Sequence, residues 1–174
     1  PTTKVFGKDD REILPGSDEI GMIATTGLVP VGYYKDELKS AATFRMVNGI
    51  RYSFPGDFAK IATNGSLIFL GRGSNCINTG GEKVFAEEVE EALKSHPHIA
   101  DSIVVGIPDE RFGQRIVAII AGDGKAVGEA ELADFCRQSL SGYKIPRKVI
   151  WVPQVQRGPN GKPDYGWARQ IAAR

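Results

Sequence analysis

A chain of 174 residues with 41% hydrophobic content suits one ordinary domain or two small ones and is apolar enough to bury a core, which excludes a disordered segment. Its 22 basic and 21 acidic residues leave a formal net charge of +1, so no global field draws in nucleic acid or an anionic membrane. Cys76 and Cys136 have neither disulfide-framework nor zinc-site spacing, which makes a reducing cytoplasm the default, and no apolar run is long enough to span a bilayer.

From the first residue the chain is punctuated like an all-β unit, with short apolar runs between Gly, Pro, Asp and Asn. Lys4-Val5-Phe6, Glu12-Ile13-Leu14 and Gly21 to Thr25 are predicted strands, separated by polar turns at residues 7–10 and 15–18. Asp36 to Phe44 is a short helix without a deep apolar stripe, hence a surface excursion. Ile50 to Phe54 and Phe58 to Ile61 flank Pro55-Gly56-Asp57, and Thr63-Asn64-Gly65-Ser66 turns the chain into Leu67 to Leu70. Short strands in this rhythm build small antiparallel barrels or sandwiches. The chain starts at Pro1, without Met and inside strand-like sequence, so a fragment of a longer protein is expected.

Gly71 to Val84 reads as a joint, because four glycines and several small polar residues deny it a regular helix and Gly80-Gly81 permits a turn through positive φ. From spacing alone it is either a polar linker ending in a turn or a ligand loop. Beyond it Val89, Ala92, Leu93 and His96 recur at helical spacing, and the early Glu87, Glu88, Glu90 and Glu91 suit a helix N-terminus with a solvated acidic face. Asp101 to Pro108 and Gln114 to Ala121 are predicted core strands around a turn at residues 109–113. A second amphipathic helix is predicted from Gly128 to Leu140, burying Leu132, Phe135, Cys136 and Leu140, and a third strand at Lys148 to Val152. Residues 158–163 are a loop, and Trp167 to Ala172 a last helical turn or two. The fold class is therefore α+β: a β-rich, distorted-barrel unit followed by a small α+β layer.

Several short motifs occur in one order: Gly56-Asp57, Gly71-Arg72, Thr79-Gly80-Gly81-Glu82-Lys83-Val84, Glu87-Glu88-Val89-Glu90, His96-Pro97, Val104 to Asp109 and Gly161-Lys162. Each is weak by itself, but the ordered set closely resembles the carboxy-terminal third of the adenylate-forming enzymes: acyl-CoA synthetases, luciferases and peptide-synthetase adenylation domains. The wording from Arg72 to Phe85 looks most like bacterial fatty-acyl-CoA ligases, including those acting on sterol side-chain acids. The resemblance covers essentially the whole chain. It implies that residues 1–72 are the β-barrel subdomain ending a large AMP-binding domain and that residues 73–174 are a mobile α+β domain. It also implies that the family's phosphate loop and acyl pocket precede Pro1, so this chain alone is expected to be inactive.

The resemblance assigns roles residue by residue. Asp57 falls where the family binds ribose, which a carboxylate accepting two hydroxyl protons can do; a turn cap is the alternative. Phe69 matches a position near the nucleotide, with plain strand core as the alternative. Arg72 matches the arginine that meets ribose and phosphates through a planar fork, though an exposed strand-end arginine is ordinary. Lys162 matches the lysine that bridges the carboxylate substrate and the α-phosphate during adenylation, set against a solvated loop lysine. After it Pro163-Asp164-Tyr165 departs from the family's apolar-basic helix start, which leaves the pose of the loop open. Ser74 takes the hinge position, Gly80 and Gly81 line the route of the CoA pantetheine, and Lys83 meets a phosphate of ATP or CoA or is merely solvated. Lys144 lies near the CoA phosphates in such enzymes without a firm role. His96 reads as a helix-end residue, His98 has no partner pattern, Cys76 has no identifiable base, and no metal-ligand set is assigned.

The implied reaction joins a fatty or related carboxylic acid to CoA, with ATP and Mg2+ consumed as substrate and AMP and pyrophosphate released. Alternatives are an adenylating enzyme that loads a carrier protein and a detached, non-catalytic interaction module. The implied location is cytoplasmic, any membrane association belonging to segments outside this chain, and the oligomeric state and the identity of the acid stay open.

Overall fold

A computed structural model describes residues 2–122 and 127–174, so Pro1 and residues 123–126 lie outside the described structure. The chain divides into two compact units, Pro1–Ser74 and Asn75–Arg174.

The first unit is one six-stranded sheet. Its strands are β1 (Thr2–Phe6), β2 (Gly21–Thr26), β3 (Phe44–Val47), β4 (Ile50–Ser53), β5 (Asp57–Ile61) and β6 (Leu67–Arg72), in the order β3-β4-β2-β5-β6 with β1 on β2. Helix α1 (Glu37–Thr43) is capped by Asp36, whose carboxylate accepts from the Lys39 amide at 2.9 Å, and it buries no residue, as a surface excursion should. All pairings are antiparallel. β1 takes one edge of β2 from Met22 to Thr26, while β4 pairs at Thr25 and Thr26 and β5 at Gly21 and Met22. A strand has only two edges, so β4 and β5 share the second.

The expected barrel does not close: among the described residues β3 and β6 end the path without pairing to each other. Adjacent Val5 and Phe6 point to opposite faces of the sheet and so belong to two cores. Phe6 joins Ala24, Val47, Tyr52 and Phe54, its ring 5.1 Å from Tyr52 in an edge-on arrangement, while Val5 packs with Ile13 and Ala59. Glu12 to Leu14 forms no strand. It is tied down by a single bridge to Phe6 and by the Ile13 amide donating to the Val5 carbonyl at 2.9 Å.

The second unit is also built on a sheet, in the order β11-β10-β7-β8 with β9 on β10. Its elements are β7 (Cys76–Thr79), β8 (Glu82–Phe85), α2 (Ala86–Lys94), β9 (Ile99–Asp109), β10 (Gly113–Gly122), α3 (Glu129–Arg137), β11 (Lys148–Val152) and α4 (Tyr165–Ala172). β9 and β10 form a long antiparallel hairpin, and β10 runs parallel to β11, the two joined through α3. The continuous apolar runs of β9 and β10 reflect burial on both faces. Val104, Ile116, Ala118 and Ile120 face one core with Val89 and Leu93 of α2 and Leu132 and Cys136 of α3. Ile103, Val105, Val117 and Ile119 face the other with Ala168 and Ala172 of α4.

The α+β class expected from the sequence is thus the observed one. α3 stops at Arg137, short of Leu140, and α4 begins two residues earlier than the predicted turn because Asp164 caps it, accepting from the Trp167 amide at 2.9 Å. No helix of the described residues is long and apolar enough to cross a membrane.

Candidate functional site

In the first unit Asp57 opens β5 and Arg72 closes β6, and the two are direct cross-strand partners. Cross-strand side chains on one face stand close together, and Arg72 Nε donates to Asp57 Oδ1 at 2.9 Å. The pair is accessible, with 54% of the Arg72 side chain and 26% of that of Asp57 exposed. A carboxylate acceptor and a planar donor fork therefore sit side by side at one end of a hairpin, an arrangement that suits a diol next to an anionic oxygen. Phe69 lies on the same strand and is 56% exposed. Ser74 is exposed within the short 3-10 turn Gly73–Asn75 and is the last residue of the first unit.

The rest of the joint is more ordered than a linker. Cys76 to Thr79 pairs with Glu82 to Phe85 in a tight hairpin whose two loop residues are Gly80 and Gly81, at φ +60° and +85°. Two consecutive positive φ values twist the loop in the sense its strands require, and glycine adopts them at least cost. The Gly80 amide also donates to the Phe112 carbonyl at 2.9 Å, which fastens the turn to the β9–β10 loop. Both glycines are exposed, as is Lys83 on β8 opposite Asn78. Burial pushes the Cys76 thiol above its usual range, against the effect of Lys83, so it is no activated nucleophile.

Lys162 is exposed on the loop between β11 and α4, on a different element from the Gly80-Gly81 turn. That loop folds back on itself: the Gly158 amide donates to the Lys162 carbonyl and the Gly161 amide to the Gly158 carbonyl, both at 2.9 Å. The departure from the family pattern just after it is resolved by the structure. Pro163 bridges Arg157, Asp164 caps α4, and the Tyr165 hydroxyl donates to Glu90 Oε2 at 3.2 Å.

Three charged residues have partners far away in the sequence. Glu90 was expected on a solvated acidic face but is only 5% exposed, accepting also from the Val104 amide at 2.9 Å. Burial raises its carboxyl to about 7. The signal was present, since Ala86, Glu90 and Leu93 fall on one helical stripe. Lys144 gives its ammonium to both oxygens of Glu88, at 2.6 and 2.7 Å, a largely covered ion pair that engages the cation within the unit. Arg157 was unremarkable in the sequence, yet it clasps Asp101 through two nitrogens, and that bond holds the Asp101 carboxyl below the usual carboxylate range. His96 is buried at the helix end, its ring edge-on to Phe135 at 4.7 Å. Among the described residues no group of His, Cys, Asp and Glu is disposed to hold a metal ion.

Comparison with known proteins gives a consistent picture. Residues 88–162 match the AMP-binding enzyme C-terminal domain. The chain is 54% identical over 169 residues to a 3-oxocholest-4-en-26-oate CoA ligase of Rhodococcus rhodochrous, covering 97% of this chain and 30% of that protein. It is 52% identical to a medium/long-chain fatty-acid and 3-oxocholest-4-en-26-oate CoA ligase of Mycobacterium tuberculosis, covering 97% of this chain and 31% of that protein. The o-succinylbenzoate CoA synthetase of Bacillus subtilis, solved with an acyl-adenylate intermediate, superposes with a TM-score of 0.82 at 30% identity, covering 99% of this chain and 34% of that one. The chain thus spans about a third of the length of these proteins.

Proposed function

We propose that this chain, whose residues 88–162 match the AMP-binding enzyme C-terminal domain, belongs to the adenylate-forming enzymes and is the C-terminal portion of an ATP-dependent acyl-CoA ligase. The acid is a fatty acid or a related carboxylic acid such as an oxidised sterol side chain. The observation that carries this reading is the 54% identity to an oxocholestenoate CoA ligase across 97% of the chain. Residues 1–72 then end the AMP-binding domain, and residues 73–174 are the domain that moves about Ser74 between two half-reactions.

In the first half-reaction the substrate carboxylate attacks the α-phosphate of ATP and pyrophosphate leaves. Asp57 accepts hydrogen bonds from the ribose hydroxyls, Arg72 serves ribose and phosphate oxygens, and Phe69 packs near the nucleotide. Lys162 lies between the carboxylate and the α-phosphate and offsets the charge that builds up there. Magnesium enters as the counter-ion of ATP and is assigned no ligand in this chain. In the second half-reaction the CoA thiol attacks the acyl carbonyl and AMP leaves. Gly80 and Gly81 let the pantetheine pass close to the backbone, and Lys83 meets a phosphate. The location in keeping with this chemistry is cytoplasmic.

The test uses the protein that joins this chain to an upstream nucleotide-binding region, assayed for acid-dependent exchange of labelled pyrophosphate into ATP. Exchange with fatty or steroid acids, followed by AMP release on adding CoA, is expected. Absence of exchange with every carboxylic acid tried would overturn the enzyme reading in favour of an interaction module, and acyl transfer to a carrier protein in place of CoA would overturn the acceptor.

A further inference from the structure

The guanidinium of Arg157 makes three hydrogen bonds. Nε and Nη2 donate to Oδ2 and Oδ1 of Asp101 at 2.8 and 2.7 Å, and Nη1 donates to the carbonyl oxygen of Gly161 at 3.0 Å. Gly161 is the residue before Lys162, at φ +74°. One rigid planar group therefore ties the carbonyl next to the lysine to β9, a strand packed against both α2 and α4. The loop's other closures are local, with Asp164 donating its amide to the Gln156 carbonyl at 3.1 Å. Lys162 is exposed, so the backbone that Arg157 fixes sets where its ammonium starts from.

We propose that Arg157 is a positioning residue for Lys162: clamped by Asp101, it fixes the Gly161 carbonyl and so the direction in which the next side chain leaves the loop. This rests on the role proposed above for Lys162. A bidentate pair with a third of its Arg157 side chain and a quarter of its Asp101 side chain exposed contributes modestly to stability, and a loss of stability would slow both half-reactions alike. A displacement of about 1 Å at a reacting group, by contrast, costs about a hundredfold in rate. The two effects are therefore separable.

The experiment measures the half-reactions separately in the protein that joins this chain to its nucleotide-binding region, using Arg157→Lys, Asp101→Asn and Asp101→Glu. Lysine keeps the charge but loses the fork, whereas glutamate keeps both acceptors. Arg157→Lys and Asp101→Asn should slow adenylation about ten- to a hundredfold through kcat, with little change in the KM for ATP. Asp101→Glu should recover most of that loss. CoA-dependent consumption of preformed acyl-adenylate should keep its rate in all three, since Lys162 serves only the first step. Equal slowing of both half-reactions, or unchanged adenylation in Arg157→Lys and Asp101→Asn, would overturn the inference. Unchanged adenylation in Lys162→Ala would instead overturn the role of Lys162 itself, leaving Arg157 nothing to position.

Discussion

Tyr165 donates its hydroxyl proton to Glu90 at 3.2 Å across 75 residues of sequence, joining the first turn of α4 to the buried stripe of α2. The other oxygen of the same carboxylate accepts the Val104 amide, and the Glu90 main-chain carbonyl accepts the Ser102 hydroxyl at 3.2 Å. A carboxyl group thus sits among apolar side chains with its acceptor sites met by donors.

The stability of the second unit should fall as pH rises. Burial moves the Glu90 carboxyl from an ordinary 4.5 to about 7, so between those values the folded chain keeps a proton that the unfolded chain releases. The stabilising contribution is complete below pH 4.5 and is lost as pH rises through about 7. The full excursion amounts to about 3 kcal/mol. Glu90→Gln keeps an acceptor and cannot ionise, so urea unfolding at several pH values should show it gaining on the wild type by roughly that amount at pH 8. Parallel stability profiles for the two proteins would refute the effect.

Tyr165→Phe retains the ring and removes only the donor. It should cost about 1 kcal/mol below pH 5 and more above pH 7, where the acceptor carries charge. A cost independent of pH would mean that the hydroxyl does not engage the carboxylate.

Asp57→Asn and Arg72→Lys should change unfolding stability by less than about 1 kcal/mol, because the pair is partly exposed. In the proposed ligase each should raise the KM for ATP about tenfold or more, since the charge-assisted bonds proposed to ribose and phosphate would be lost. Isothermal titration with ATP or AMP gives the same comparison without turnover, and unaltered nucleotide affinity would remove both residues from the site.

At Gly80 the backbone demand and the proposed CoA passage can be separated. Alanine at φ +60° should cost about 1 kcal/mol, whereas asparagine tolerates that conformation and should cost less. A Cβ there would lie 3.7 Å from Phe112, an ordinary contact, so the fold accepts it. Gly80→Asn should therefore fold normally and raise the KM for CoA, leaving that for ATP unchanged. A normal KM for CoA would reduce Gly80-Gly81 to a turn requirement.

Much of the fold was legible wherever a local pattern carried it. The apolar runs of β9 and β10 and the helical spacing of Val89, Ala92 and Leu93 were enough to place three elements. β3 was missed although Asn48-Gly49, both at positive φ, turn it into β4, and that dipeptide is a strong hairpin signal. β7 and β8 were hidden for another reason. Each is only four residues long and together they flank Gly80-Gly81, so they read as a joint until each strand is seen to supply the other's hydrogen bonds.

The sequence by itself determined the α+β class, the long strands and helices of the second unit, the glycine turn and the family likeness, because these rest on periodicity, turn chemistry and motifs within a few residues of one another. Which charged groups are buried and which are paired was decided only by the tertiary structure. Glu90 with Tyr165, Lys144 with Glu88 and Arg157 with Asp101 are partners separated by 56 to 75 residues. Burial and electrostatic pairing depend on which distant strand or helix arrives beside a side chain, and no local spacing encodes that. The joint shows both sides of this division: its glycines were visible in the sequence, while the fastening of the hairpin they close to the Phe112 carbonyl and its place beside β10 were not.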